Sequence, residues 1–325
     1  MKKRVLVVTP IHPAGMKLLE EHDQIELVFS KGVSPAAITA AATGVHAIIV
    51  RNGVISRGVI EAAPALEVVC RTGVGVDNVD IAALDERGIP LTITPGANAT
   101  SVAEHAMYLL LALAKQSEMH HRAVIEGNFA IRFEMHARDI ENKRLLIVGF
   151  GRVGSKVAPR AQAFGMQVHV YDPYVDSALI EAAGCALEKS LISAISQADV
   201  VSLHCPLTDE TRNIFSTSAF DSMKSSAWLI NTSRGGVVDE SALLHALEAG
   251  DIAAAGLDVF AEEPPATDNR LLTLPNVVLS PHNAGVSLEA AQRSSIAVAT
   301  NTIDALFGIL DPNVVVNPKT LRKAK

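Results

Sequence analysis

The stretch LLIVGFGRVGSKVAPRAQAFGMQVHVYDP, from Leu145 to Pro173, leaves this chain very few folds to adopt. An apolar run, LLIV, meets G-x-G-x-x-G at Gly149, Gly151 and Gly154. A helical stretch follows, and a second apolar strand, VHVY, ends on Asp172. Strand, glycine turn, helix and acid-terminated strand in that order open a parallel α/β sheet that binds a dinucleotide. Gly149 permits the tight turn, Gly151 lets backbone approach a pyrophosphate, and Gly154 allows close helix packing. The amides near Arg152 and Val153, at the helix N-terminus, are expected to face the phosphates, because partial positive charge collects there. Asp172 is expected to accept hydrogen bonds from the adenosine ribose hydroxyls. Its charge would repel a ribose 2′-phosphate, which predicts NAD rather than NADP.

This opening comes late in a chain of 325 residues, a length that suggests two domains. Before residue 100, short Val/Ile-rich runs (RVLVVTP, IELVFS, AIIVRN, LEVVCRTG, PLTITP) alternate with helical stretches. After residue 140 the pattern resumes with LLIVGFG, QVHVYD, DVVSLHCP, AWLINTS, AAAGLDVF and NVVLSPH. Continuous apolar strands between helices indicate parallel sheets covered on both faces. The expected class is therefore α/β, with two Rossmann-like, doubly wound parallel-sheet domains. ATSVAEHAMYLLLALAKQ reads as a long helix crossing from the first domain to the second, with Ser101 and Glu104 as a capping box. A C-terminal helix, EAAQRSSIAVATNTIDALFG, is expected to cross back. Residues 1–99 plus 290–325 would then form a discontinuous, flavodoxin-like substrate domain, and residues 100–289 the NAD-binding domain.

Composition removes several classes of function. A net charge of −7 leaves no broad basic field for a polyphosphate backbone, so no nucleic-acid partner is expected. The apolar part of MKKRVLVVTP is too short for a signal peptide, and AMYLLLALA falls well short of the ~20 residues that span a bilayer. No membrane association is expected. Cys70, Cys185 and Cys205 are odd in number and lack C-x-x-C spacing, which fits a reducing cytoplasm and implies neither disulfides nor zinc. MHH at 119–121 reads as a solvated helix face, so no metal is expected, and the basic tail LRKAK reads as a solvated terminus.

Three further stretches fall where strand ends of the second sheet belong: NTSRGG (231–236), GLDVFAEEP (256–264) and SPHNAG (280–285). Ligands of open α/β sheets bind beyond the carboxyl ends of strands, so these loops would line one crevice. With RTGVGVDNVD, SVAEHA, GFGRVGS and LHCPLT they give the chain a strong resemblance to the D-isomer-specific 2-hydroxyacid dehydrogenases, which include D-3-phosphoglycerate dehydrogenases and hydroxypyruvate reductases. The resemblance implies Arg234, Glu263 and His282 as the catalytic group. The chemistry suits each. An imidazole can donate a proton near neutral pH, a carboxylate on its other nitrogen fixes the ring, and a guanidinium fork holds a substrate carboxylate. Taken alone, a His after Ser-Pro is equally an ordinary loop residue, and an Arg beside Gly-Gly could simply close a strand. The family's acid directly precedes proline, five positions after a cofactor-binding Asp, which selects Glu263 over Glu262 and matches that Asp to Asp258.

By the same resemblance Cys205, Pro206, Thr211, Thr232, Ser233 and Gly285 line the cofactor, along with Arg234 and His282. Cys205 is read as a packing residue and not a nucleophile. Val74 and Gly75 resemble a loop whose amides bind the substrate carboxylate, and Arg51 resembles a phosphate contact of the 3-phosphoglycerate enzymes. A strand-end Arg can equally pair with a surface acid, and Arg132 and Arg138 are further candidates. The implied activity is NAD-dependent interconversion of a D-2-hydroxy acid and its 2-oxo acid, of the 3-phosphoglycerate or hydroxypyruvate/glycerate class. Glu263 stands where formate dehydrogenases carry Gln, which argues against formate. An NAD-sensing corepressor of the same fold is the alternative. The chain ends soon after VVVNP, so no C-terminal regulatory domain is expected. The 101–116 helix region is expected to make a homodimer, and the two domains are expected to close over substrate.

Overall fold

The computed structural model describes residues 2–308 and 310–321; most of the basic tail, from residue 322 on, lies outside them. Two compact units divide the chain, one of Met1–Asn98 with Val286–Lys325 and one of Ala99–Gly285.

The first unit is built on β1 (Lys3–Val7), β2 (Ile25–Phe29), β3 (Ala47–Val50), β4 (Val68–Arg71) and β5 (Leu91–Thr92). They form a parallel sheet in the order β2-β1-β3-β4-β5, the doubly wound order of flavodoxin-like folds. Side chains alternate across the sheet, so Leu6 enters one buried cluster with Ile48 and Val69, while Val5 and Val7 enter the opposite one with Ala47 and Ile49. The helix Leu288–Phe307 covers that second face, where Val298, Ala299 and Leu306 are buried. After it the chain returns to β5: Asn317 accepts from the Leu91 amide at 2.7 Å and donates to Asp85.

The second unit carries β6 (Arg144–Val148), β7 (Gln167–Tyr171), β8 (Ala186–Leu187), β9 (Val200–Leu203), β10 (Trp228–Asn231), β11 (Ala254–Leu257) and β12 (Val277–Leu279). All pairings are parallel, in the order β12-β11-β10-β9-β6-β7-β8. The strand order reverses between β6 and β9, and that switch point is where such sheets open a crevice at their carboxyl ends. Leu146 and Val148 face one core, and Leu145 and Ile147 the other. Each fully buried side chain of this size contributes about 1.5–3 kcal/mol, which is why the strands read as unbroken apolar runs.

The long helix Ala99–Lys115 begins three residues before the start a Ser101 cap requires. Ser101 lies inside the first turn and is buried, and the Glu104 carboxylate accepts from Arg160 at 2.9 Å. The capping-box reading is thereby corrected: Glu104 ties this helix to the neighbouring helix Gly154–Ala163. Among the described residues no helix is long and apolar enough to cross a membrane.

Candidate active site

The glycine loop after β6 is shaped by what a side chain would hit. Gly149 has φ +95°, and a Cβ on it would lie 2.6 Å from the Cys205 amide nitrogen; one on Gly154 would lie 2.1 Å from the Gly149 carbonyl oxygen. Around Gly151 the space is open to at least 4 Å. The helix Gly154–Ala163 starts at Val153 with no side-chain cap, so the amides beside Arg152 and Val153 are left for a ligand. At the end of β7, Asp172 accepts from the Phe150 amide at 2.7 Å and, through its other oxygen, from Tyr174 and Val175 at 2.9 and 3.1 Å. Three amide donors use three of the four acceptor positions of a carboxylate, and one remains. Beyond β10, the Thr232 hydroxyl is buried with no hydrogen-bond partner among the described residues. A constricted glycine turn, an uncapped helix start, an acid at the next strand end and an orphaned hydroxyl fit a dinucleotide.

The loop after β9 meets the glycine turn through its backbone, at His204 and Cys205. Cys205 is buried, and burial pushes its thiol up to about 11, so it is no nucleophile near neutral pH. The Thr211 hydroxyl donates to the Pro206 carbonyl at 2.6 Å and accepts from the Thr208 amide at 2.8 Å. Thr211, implied by resemblance as a cofactor contact, is thus seen shaping its own loop.

At the other end of the sheet, three loops are stitched together. Asn231, buried at the end of β10, accepts from the Ser233 amide at 3.0 Å and donates to the Arg234 carbonyl at 3.0 Å, fixing the backbone that presents Arg234. The half-buried Arg234 guanidinium donates to the Ser233 carbonyl at 2.6 Å. Gly235 is pressed so closely onto the next loop that a Cβ there would fall 1.9 Å from the Phe260 carbonyl. That contact sets the Arg234 loop against the segment leading to Glu263.

His282 and Glu263, 19 residues apart in sequence, meet with Nδ1 2.6 Å from Oε2. The other Glu263 oxygen accepts from the Phe260 amide at 3.1 Å, which fixes the carboxylate. A carboxylate accepts only, so Nδ1 carries the proton and Nε2 is left for chemistry. His282 itself has φ +50°, a left-handed conformation rare outside glycine. Asp258 explains how that backbone is held. It is 1% exposed, and its Oδ1 accepts from Ser280 Oγ at 2.6 Å and the Asn283 amide at 3.0 Å. Its Oδ2 accepts from the Ala284 amide at 2.9 Å, and its carbonyl accepts from the His282 amide at 2.7 Å. The resemblance makes Asp258 a nicotinamide contact; here its oxygens chiefly serve the His282 loop, with one acceptor position left on Oδ2. Sequence reasoning passes over Ser280, whose only signal is its place in SPHNAG.

In the first unit, Arg51 is exposed past the end of β3, and Val74 is 40% exposed in the loop after β4. That loop is fixed where Gly73 exchanges bonds with Thr94, amide to hydroxyl at 2.8 Å and amide to carbonyl at 2.9 Å. Asn78 donates to the Gly53 carbonyl at 2.6 Å, tying the Arg51 and Val74 loops together. Gly75 lies on the same loop, half-buried.

Comparison with known proteins accords with this geometry. Residues 107–284 match the model of the D-isomer specific 2-hydroxyacid dehydrogenase NAD binding domain. The chain is 38% identical over 316 residues to the D-3-phosphoglycerate dehydrogenase of Methanocaldococcus jannaschii, covering 97% of this chain and 60% of that one. It is 39% identical to the glyoxylate reductase of Korarchaeum cryptofilum, covering 97% and 96%. It thus spans only 50–60% of the length of the first curated phosphoglycerate dehydrogenases it matches. Among solved structures, the D-lactate dehydrogenase of Aquifex aeolicus with NAD and lactic acid superposes with a TM-score of 0.84 at 27% identity, over 97% of this chain and 99% of that one. The NADPH-dependent glyoxylate/hydroxypyruvate reductase of Sinorhizobium meliloti gives 0.86 at 29%, over the full length of both. With its glycine loop, its acid-ended β7 and its paired Glu263 and His282, this chain belongs to the D-isomer specific 2-hydroxyacid dehydrogenase family.

Proposed function

We propose that this chain is an NAD-dependent dehydrogenase that interconverts a D-2-hydroxy acid and its 2-oxo acid, acting on a small substrate of the 3-phosphoglycerate or hydroxypyruvate/glycerate class. The 2.6 Å pairing of His282 Nδ1 with Glu263 Oε2 carries this reading, because it turns the second ring nitrogen into a directed proton donor and acceptor. NAD, when bound, supplies or takes the hydride. Gly149, Gly151, Gly154, Asp172 and Thr232 would hold it, with the Arg152 and Val153 amides at its phosphates. The backbone of Cys205 and Pro206 and the adjoining Ser233 and Gly285 would complete the lining.

In the reducing direction, the His282 Nε2–H donates its proton to the carbonyl oxygen that becomes the hydroxyl; in the oxidising direction Nε2 takes that proton back. Glu263 keeps a proton on Nδ1 throughout, so the ring is an imidazolium before it gives up the Nε2 proton and a neutral imidazole after. Arg234 binds the substrate carboxylate with paired donors and polarises the adjoining carbonyl. On the first unit, the Val74 and Gly75 amides are the proposed further carboxylate donors, and Arg51 the proposed contact for a substrate phosphate.

A panel of hydroxypyruvate, 3-phosphohydroxypyruvate, pyruvate and glyoxylate with NADH tests the reading. Saturable reduction of at least one is expected; silence across the panel by a protein that still binds NADH would point to a sensor. Asp172 at the end of β7 supports NAD over NADP, and equal kcat/KM with the two cofactors would overturn that preference.

The proposed assembly is a homodimer through the helix Ala99–Lys115. A recess of about 550 Å³ between this helix and Gly154–Ala163 is lined by Met107, Tyr108, Leu111 and Phe164, and Tyr108 and Phe164 are 53% and 47% exposed. A two-fold contact would bury these side chains against their own copies. Light scattering at micromolar concentration should give twice the chain mass, and Tyr108→Glu should halve it. The three buried free thiols support a cytoplasmic location.

A further inference from the structure

The motif SVAEHA carries a histidine that the proposed reaction does not use, and the fold brings it to the loop that bears His282. His105, on the helix Ala99–Lys115, has its Nε2 2.8 Å from Ser280 Oγ, 175 residues away in sequence. Ser280 Oγ lies in turn 2.6 Å from the buried Asp258 carboxylate. A hydroxyl has a single proton, and a carboxylate cannot donate, so the serine proton goes to Asp258. The imidazole must then be the donor to Ser280, with its proton on Nε2. Burial lowers the pKa of His105 against the opposing pull of Asp258, so near neutral pH the ring is uncharged and its lone N–H is committed to this contact.

We propose that His105 is a positioning residue: through Ser280 it orients the Asp258 carboxylate, which holds the Asn283 and Ala284 amides and so keeps His282 aimed at the substrate carbonyl. The inference rests on His282 being the proton donor of the proposed reaction. Its physical basis is the left-handed backbone of His282, which persists only where the surroundings over-determine it. The long helix packs on β11 and β12, so His105 anchors a strained loop to a rigid element.

The test compares His105→Phe, His105→Gln and Ser280→Ala in the full chain, reading kcat and KM for whichever 2-oxo acid the wild type reduces, and NADH Kd by fluorescence. His105→Phe and Ser280→Ala should each lower kcat by about ten- to a hundredfold, since misplacement of a reacting group by about an ångström costs that much. NADH Kd should stay within about twofold, and the variant combining His105→Phe with Ser280→Ala should be no slower than the worse single, because both break one relay. His105→Gln, which keeps an N–H donor, should recover most of the loss. Long-range ¹H–¹⁵N correlation should place the His105 proton on Nε2, and should show the His282 ring resonances shifting in Ser280→Ala, which leaves the helix untouched. Wild-type kcat in Ser280→Ala, additive losses in the double variant, or a proton on His105 Nδ1 would each overturn the proposal. If the wild type reduces none of the acids, the functional reading fails while the two NMR readouts still decide the relay.

Discussion

Two loops leave the carboxyl edge of the seven-stranded sheet with a histidine each, and their surroundings differ in kind. After β9, His204 has Nε2 2.8 Å from Ser202 Oγ, while its Nδ1 is sealed from solvent with no hydrogen-bond partner among the described residues. Burial holds that ring neutral and pushes its pKa down to about 4. After β12, His282 is exposed, with one nitrogen against a fixed carboxylate and the other open. The same side chain on the same sheet edge is sealed filling in one loop and, in the proposed reaction, a proton carrier in the other. What separates them is a carboxylate partner and access to solvent, not position in the fold.

The sharpest way to break this contrast is at His282. His282→Ala should lower kcat by roughly two to four orders of magnitude with NADH binding retained, in line with loss of a general acid. Near-normal turnover would remove His282 from the chemistry and erase the distinction between the loops. Glu263→Gln is gentler: the amide keeps a hydrogen bond to Nδ1 but can present a donor there and loses the charge. A fall in kcat of about ten- to a hundredfold is expected, with substrate KM changed much less, because orientation and tautomer suffer while the proposed carboxylate site at Arg234 is intact. A change confined to KM would mean that Glu263 serves binding and not the proton.

Much of the framework behind these loops is legible in the residues. Both faces of each sheet are covered, so β1 to β7 and β9 to β12 announce themselves as Val/Ile runs, and the positions of NTSRGG, DVFAEEP and SPHNAG follow from strand ends. β8, Ala186 and Leu187, sits in CALEK, where no Val or Ile marks a strand. The Ser101/Glu104 spacing imitates a helix cap because a local motif cannot reveal that Arg160, 56 residues on, claims the glutamate. The pairing of Glu263 with His282 comes from resemblance and not from spacing. The links from Asp258 to Ser280 and from Ser280 to His105 join residues 22 and 175 apart, and only the folded chain discloses them. Nor does the run DVVSLHCP tell that His204 is shut away from water while His282 is not.

The smallest expected effect concerns His204, and it sharpens the contrast from the stability side. Its folded pKa, about 4, lies below the 6.5 of an exposed histidine. Between those values the unfolded chain binds the proton and the folded chain does not, so unfolding becomes easier as pH falls. The stability owed to this group is complete above about pH 6.5, declines as pH drops toward 4 and changes no further below it, for a total of at most about 3 kcal/mol. Urea unfolding followed from pH 7 to pH 4 should therefore show a falling midpoint, part of which disappears in His204→Phe. That variant removes both the titrating ring and the orphaned Nδ1, so its stability at pH 4 relative to pH 7 should exceed that of the wild type even if the larger ring costs packing at both. An unchanged pH slope would mean that His204 is reached by water and protonates in the folded chain, and the two loops would then differ only in the carboxylate that faces His282.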